Sequence, residues 1–396
     1  MKKTLLTLFI SSLLLAAITS CSSDDNGNFI NNASCSDGIQ NGDEAGVDCG
    51  GSACQPCLEN ILNGEVTDDI TLNATIEYEL TGAYVIQDGG SLTIPAGTLI
   101  KATGGTSAYI AVAQGGEIFV NGNSTNPVVM TSASETPAPG DWGGVVICGK
   151  APTNRGTSVT SEVADLTYGG TETNDNSGSI RYLRVEYTGA TFSNDKEFNG
   201  VSLFGVGAGT TFEYVQSYNG GDDGIEFFGG TVSGDYLVSI GSGDDSIDFA
   251  DGWNGNGSNW YIKNGAKAGI EGSNNGDNGD ATPVTTTTLS NISVVGPVSE
   301  GALYFKEGGG NFTITNFYTN SVNLGVRMKD TDAEAAARIE AGVLSISPMQ
   351  FDNPISGWMI TDYNGATQNF VMVGPTSGAG NGAAAPSWAS GWTSGL

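Results

Sequence analysis

A short phrase returns in register along the middle of the chain: Gly200-Val-Ser-Leu, Gly224-Ile-Glu-Phe, Ser246-Ile-Asp-Phe and Gly269-Ile-Glu-Gly, with a later echo in Gly325-Val-Arg-Met. The first four begin 24, 22 and 23 residues apart. A second set keeps phase with it at Tyr182-Leu183, Tyr214-Val215, Tyr236-Leu237, Tyr261-Ile262 and Asn291-Ile292. Two strand types per period of about 22 residues describe one coil of a parallel β-helix. No such coil buries its apolar side alone, and stacking builds a continuous core. The expected fold class is therefore all-β: a right-handed parallel β-helix behind a small Cys-rich module. Leucine-rich repeats have a similar length but need a Leu/Asn ladder that is absent here, and a sandwich would show hairpin pairs instead of phase-locked recurrence. Helical periodicity is confined to Asp332–Ile339.

Composition narrows the chemistry. Sixty of 396 residues are Gly, about twice the usual share, as a chain of short strands and tight turns requires. The absence of His removes Ser-His-Asp catalysis, imidazole metal ligands and a His general base. Fourteen Lys plus Arg against 43 Asp plus Glu give a formal charge of −29, which excludes nucleic acid as a partner.

Four segments are expected: a signal peptide at 1–20, an acidic, polar linker at 21–34, a Cys-rich module at 35–57 and the β-helix at 58–396. Lys2 and Lys3 precede an apolar run from Leu5 to Ile18 that is too short for a comfortable membrane span. Ile18-Thr-Ser-Cys21 resembles the bacterial lipobox, which implies lipidation at Cys21. Ser22-Ser-Asp-Asp25 resembles the acidic tag that sends lipoproteins of Bacteroidetes-type bacteria to the exterior of the outer membrane. The expected address is the outer membrane, with the lipid as first partner and the protein as a monomer.

Cys35, Cys49, Cys54 and Cys57 crowd into 23 residues. Outside the cytoplasm two disulfides are expected, with three possible connectivities; zinc competes, since Cys54-Gln-Pro-Cys57 has ligand spacing. Asp37, Asp43 and Asp48 lie among glycines there and suit Ca²⁺. The run from Cys35-Ser-Asp-Gly to Val47-Asp-Cys-Gly-Gly resembles a short module that recurs in surface proteins of such bacteria. Cys148, inside an apolar run, is expected to be a buried filler.

Strand alternation adds an acidic ladder. With Val201, Ile225, Ile247 and Ile270 inward, Ser202, Glu226, Asp248 and Glu271 face outward, about 4.8 Å apart from coil to coil. Asp222, Asp223, Asp244 and Asp245 stand at the preceding turns and Asp251 just after. Such a cluster either raises its pKa values or holds a cation, with Ca²⁺ the expected cofactor; a solvated acidic edge is the plain alternative. Gly221-Asp-Asp-Gly-Ile and Gly243-Asp-Asp-Ser-Ile resemble the stacked aspartate motifs of polygalacturonases, themselves parallel β-helices. That resemblance implies Asp223, Asp244 and Asp245 as acid and base. Lys267-Ala-Gly269 stands where that family carries Gly-His-Gly, and Arg327-Met-Lys329 echoes its Arg-x-Lys element. A lyase would instead use a Lys or Arg base, with Lys267, Lys306 and Arg327 as candidates.

Leu92 to Lys101 and Gly115 to Val120 read as the first coils. With Asp141-Trp-Gly-Gly-Val-Val-Ile-Cys-Gly-Lys150 and Phe227-Phe-Gly-Gly230 they resemble a family of Bacteroidetes-type β-helix lipoproteins, of the pectin-lyase-like class, over most of 80–396. Insertions at about 151–178, 190–198 and 272–287 break the period and are expected to build any binding face. Trp253, Trp260 and Tyr261 are candidates for stacking on a sugar, and Trp388 and Trp392 are expected to plug the C-terminal coil. The expected function is surface-anchored binding of a glycan or surface protein; a polysaccharide hydrolase or lyase is the alternative.

Overall fold

Runs such as Ile225–Phe228 and Ile247–Ala250 are β-branched and aromatic, and Gly/Asp turns cut them after four residues, so they form short strands. A computed structural model describes residues 34–44, 47–55, 60–193, 196–329, 332–355, 360–361 and 370–396. The chain divides into two compact units, Met1–Glu59 and Asn60–Leu396.

In the larger unit the strands of the main sheet pair in parallel with the strand one coil away and form three stacks, while two short antiparallel pairs, Val159–Thr160 with Thr167–Tyr168 and Thr191–Ser193 with Lys196–Glu197, stand apart on the insertions. One stack carries the Gly-Ile phrases. Val201 pairs with Ile225, Ile225 with Ile247, Ile247 with Ile270, Ile270 with Leu303 and Leu303 with Val326. All six are buried in the one main core, with Phe227, Phe249 and Phe305 beside them. The expected inward face is correct. The other two stacks meet at a corner inside longer strands such as Gly178–Glu186 and Thr211–Tyr218. The corner residue takes a left-handed conformation: Tyr182, Tyr214, Tyr236, Asn259, Asn291 and Asn316 have φ between 52° and 59°. Asn tolerates this region, and the three tyrosines are held there by stacking, with centroids 4.3 Å apart in both Tyr182–Tyr214 and Tyr214–Tyr236. Tyr261 is out of phase with them. Its rung partner is Val238, two positions past Tyr236, and Asn259 takes the corner instead.

The chain end departs from expectation. Trp388 and Trp392 do not plug the last coil; the segment 376–395 runs back across the outside of earlier coils. Ala379 N–H donates to Ser293 Oγ (3.0 Å), Tyr261 O–H to Ala383 O (3.0 Å) and Gln216 Nε2 to Ser394 O (2.8 Å). Trp392 meets Tyr182 edge-on at 5.7 Å, and Trp388 meets Tyr236 at 5.3 Å. There the two tryptophans complete a cluster with the corner tyrosines, whose rings give them edge-on aromatic partners. A helix of Ala333–Glu340 starts at Asp332, whose side chain accepts from Ala335 N–H.

In the smaller unit Cys35 and Cys54 form a disulfide. Cys49 is also disulfide-bonded, and Cys57 lies outside the described residues. Thiols so paired are not zinc ligands. Asp48 accepts from the Asp37 and Gly38 amides, Asp37 from Ile39 and Asp43 from Ser52, so these carboxylates brace the loop's own backbone. Cys21 and the segment 1–33 lie outside the described residues.

Candidate functional site

The outward positions of the Gly-Ile stack form one continuous ladder. Ser202 pairs with Glu226, Glu226 with Asp248, Asp248 with Glu271, Glu271 with Tyr304 and Tyr304 with Arg327. Adjacent rungs sit about 4.8 Å apart. The turns before these strands stack as closely. A Cβ on Gly243 would lie 2.1 Å from the Gly221 carbonyl oxygen, so only glycine lets the two Gly-Asp-Asp turns pack backbone on backbone. That contact sets Asp244 and Asp245 directly over Asp222 and Asp223. The Asp245 amide donates to Asp223 Oδ1 (2.8 Å), and Ala268 N–H donates to Asp245 Oδ1 (2.5 Å).

The ladder is not a solvated edge. Glu226 and Asp248 are 8% exposed and Glu271 is 3% exposed, because inserted segments wall in the outer face. Glu162 arrives on the first insertion and Glu197 on the second, and both line the same cleft of about 520 Å³. The third insertion contributes Asn275, Asp277 and Gly279 to an adjoining cleft of about 210 Å³. Eleven carboxylates line the larger cleft, among them Asp222, Asp223, Asp244, Asp245, Glu300 and Glu307, against Lys267, Lys306 and Lys329. The Lys267 ammonium pairs with Asp244 and that of Lys306 with Glu271.

So many desolvated carboxylates cannot all ionise. Burial, then the neighbouring Asp245 and Asp248, raise Asp223 well above the ordinary carboxylate range; burial, then Asp248 and Asp223, do the same to Glu226. Burial with Glu271 and Asp248 pushes Asp245 to about 10, and burial with Glu197 and Asp244 pushes Asp222 to about 7. Asp248 rises through burial and Glu271, offset in part by Lys306. Lys267 is raised by its hydrogen bond to Asp244. Lys306, despite burial, is raised by Glu271 and Asp248. Both ammoniums are held protonated, the wrong state for a general base.

Three groups of carboxylates converge, each with one oxygen per residue within 4.8 Å of the others: Asp222, Asp223 and Asp244; Asp223, Glu226 and Asp248; Asp245, Glu271 and Glu300. Asp244 Oδ1 and Asp248 Oδ1 are buried without a hydrogen-bond partner. An all-oxygen donor set with orphaned buried oxygens fits a hard divalent cation. Asn199 Nδ2 braces Glu226 Oε2 at 2.6 Å.

The expected metal ligands of the larger unit, and Lys267, are therefore brought together. Arg327 stands one rung beyond Tyr304, 4.5 Å over its ring and 3.2 Å from Glu300. Asp251 lies to one side, with Arg155 Nε at 2.7 Å. Trp253, Trp260 and Tyr261 are not available to a ligand. They are 0%, 0% and 2% exposed; Trp253 and Trp260 fill the core, and Tyr261 lies under the C-terminal segment. Cys148 is a buried free thiol, pushed by desolvation to about 12. Glu162, Glu197, Glu300 and Tyr304 were not singled out from sequence. Glu300 and Tyr304 had a signal, since Glu300-Gly-Ala-Leu-Tyr304 continues the phrase after the third insertion. A family model described as a pectate-lyase like beta helix domain matches residues 64–393. No curated protein and no solved structure matches the chain.

Proposed function

The chain belongs to the pectate-lyase-like β-helix family, and we propose that its cleft binds Ca²⁺ and, through it, an acidic glycan. The observation that carries this reading is the convergence of carboxylates from successive rungs around Asp223, with the buried oxygens Asp244 Oδ1 and Asp248 Oδ1 left without partners. Asp222, Asp223, Glu226, Asp244 and Asp248 would hold the cation, which supplies the positive charge the cleft lacks. A protein of net charge −29 repels a polyuronate, and a cation shared between cleft and sugar carboxylate reverses that repulsion. Lys267, Lys306 and Lys329 line the same cleft and favour the same sign of ligand.

Binding without turnover is the reading for these residues, because the candidate lysine bases are held protonated. Hydrolysis is the second reading. Asp223 and Asp245 lie side by side, and a carboxyl held protonated to about 10 is available as an acid. One experiment separates the two: calorimetry with acidic oligosaccharides in Ca²⁺ and in chelator, with product analysis of the same samples. Ca²⁺-dependent binding that Asp248→Asn removes, without new reducing ends or unsaturated products, supports the proposal. Turnover that Asp245→Asn abolishes would replace it with hydrolysis or elimination. The proposal includes the address: Cys21 carries the lipid, and the protein faces outward from the outer membrane. That part rests on the basic, apolar and lipobox pattern of residues 1–21.

A further inference from the structure

The ladder supplies cations of its own to some carboxylates and not to others. Lys306 stands two positions after Tyr304 on one strand, and its ammonium reaches back one coil to Glu271. Its rung partner in that earlier coil is Ser273, and the strands of the two coils before that end on Ala250 and Phe228. Glu226 and Asp248 therefore have no lysine placed as Lys306 is for Glu271. Of the three converging triads, Asp245, Glu271 and Glu300 are served by Lys306 and Arg327, and Asp222, Asp223 and Asp244 by Lys267 alone, through Asp244 Oδ2. Asp223, Glu226 and Asp248, the remaining triad, have no ion-pair partner among the described residues. Asp248 is 8% exposed and lines the cleft with its Oδ1 unpartnered, and Asp244 Oδ1 in the adjoining triad is unpartnered too.

We propose that these two triads bind an aliphatic polyamine, two of whose ammonium groups take the part that Lys306 plays for Glu271. The inference goes beyond the glycan reading and does not depend on it, since the ligand is an organic cation that meets the same oxygens in place of Ca²⁺. Lys267 and Lys306 show that carboxylates of this cleft pair with primary ammoniums, in charge-assisted hydrogen bonds. The spacing follows from Asp223, which belongs to both triads. Its Oδ1 accepts the Asp245 amide and, like any carboxylate oxygen, has a second lone pair to offer. Two nitrogens, one on each oxygen of a shared carboxylate at about 2.8 Å, stand about 5–7 Å apart. Nitrogens separated by three or four methylenes span about 5–6 Å at standard bond lengths, so one such diamine unit serves both triads. The cleft of about 520 Å³ has the size of a small-molecule site, and the net charge of −29 draws a polycation toward it.

The test is titration calorimetry on the full chain in metal-stripped buffer of low ionic strength, with 1,3-diaminopropane, 1,4-diaminobutane and n-propylamine. The better diamine should bind at least tenfold more tightly than propylamine, which can serve only one triad. Asp248→Asn should weaken diamine binding at least tenfold. Ala250→Lys, two positions after Asp248 as Lys306 is after Tyr304, should do the same by bringing the chain's own ammonium to Glu226, with the fold intact by circular dichroism. Glu135→Gln, which removes an exposed carboxylate outside the cleft, should leave binding within twofold and so separates a site from general attraction to an acidic chain. No diamine binding, no advantage over propylamine, or equal weakening by Glu135→Gln and Asp248→Asn overturns the inference. The two readings fail separately. A Ca²⁺-induced rise in melting temperature without diamine binding sinks this inference alone, and diamine binding without any Ca²⁺ response sinks the Ca²⁺ reading alone.

Discussion

Removing Ca²⁺ and raising the pH should destabilise the β-helix together, and the size follows from the buried carboxylates. Asp222 moves from 3.8 to about 7 on folding, so the folded chain holds its proton more tightly than the unfolded one. A carboxyl raised in this way contributes its stability fully below about pH 4 and loses it as the pH rises through 7. At about 1.4 kcal/mol per pK unit, Asp222 alone accounts for a loss on the order of 4 kcal/mol by pH 8. The unit Asn60–Leu396 has about 340 residues, which sets its unfolding entropy near 0.7 kcal/mol per degree. The melting temperature in chelator should therefore fall by about 6 °C between pH 4 and pH 8, and more as Asp245 and its neighbours add to it. Ca²⁺ at a hundredfold excess over its Kd should return about 2.7 kcal/mol, or about 4 °C, at pH 8, and much less at pH 5, where protons compete for the same oxygens. Asp248→Asn should lose the Ca²⁺ shift, while its own melting temperature in chelator at pH 8 stays level or rises, because a repelling carboxyl has gone. Differential scanning calorimetry over this pH range reads all of these. A melting temperature in chelator that rises from pH 4 to pH 8, or a full Ca²⁺ shift in Asp248→Asn, would refute the reasoning.

Ile247→Asp should unfold the coils around it, since Ile247 is fully buried between Ile225 and Ile270; near-native melting would invert the assignment of faces. Ile225→Val at the neighbouring rung should cost only about 0.5–1.5 kcal/mol by denaturant titration. Trp392→Ala should cost about 3–5 kcal/mol and free the chain end for proteolysis, because Trp392 is fully buried against Tyr182 and Tyr214; an unchanged denaturation midpoint would mean the segment 376–395 contributes nothing to the coils. Cys21→Ala should release the protein from membranes and abolish palmitate labelling, and a variant that still fractionates with membranes and takes up label would end the lipoprotein reading.

The carboxylate cleft shows how a strongly acidic chain keeps its charges close together. Lys267 and Lys306 neutralise two of them directly. Desolvation raises others well above the ordinary carboxylate range, as for Asp223 and Glu226. Filling the remaining oxygens with a divalent cation would let more of the cluster ionise without moving a strand. Cation binding and proton release are then one equilibrium.

The period alone determined the coil. Val201, Ile225, Ile247 and Ile270 recur at one strand position, and a stack of coils is the arrangement that puts them all inside. The same count made Glu226, Asp248 and Glu271 neighbours, because parallel rungs in register superpose equal positions. Where the period was interrupted, sequence reasoning lost its purchase. Glu162 and Glu197 come to the ladder on inserted hairpins, and nothing local says which way a hairpin folds over a sheet. The repeat sets Tyr261 in phase with Tyr236, yet the corner is a backbone conformation, which Asn259 adopts two residues earlier. Trp388 and Trp392 pack against Tyr236, Tyr214 and Tyr182 more than 150 residues away, a choice between surfaces that exist only once the coils have stacked. The ionisation of the ladder belongs to the same class. The order of the residues put the carboxylates in a row, but their pKa values were decided by the loops that close over them, since burial is a property of the assembled walls.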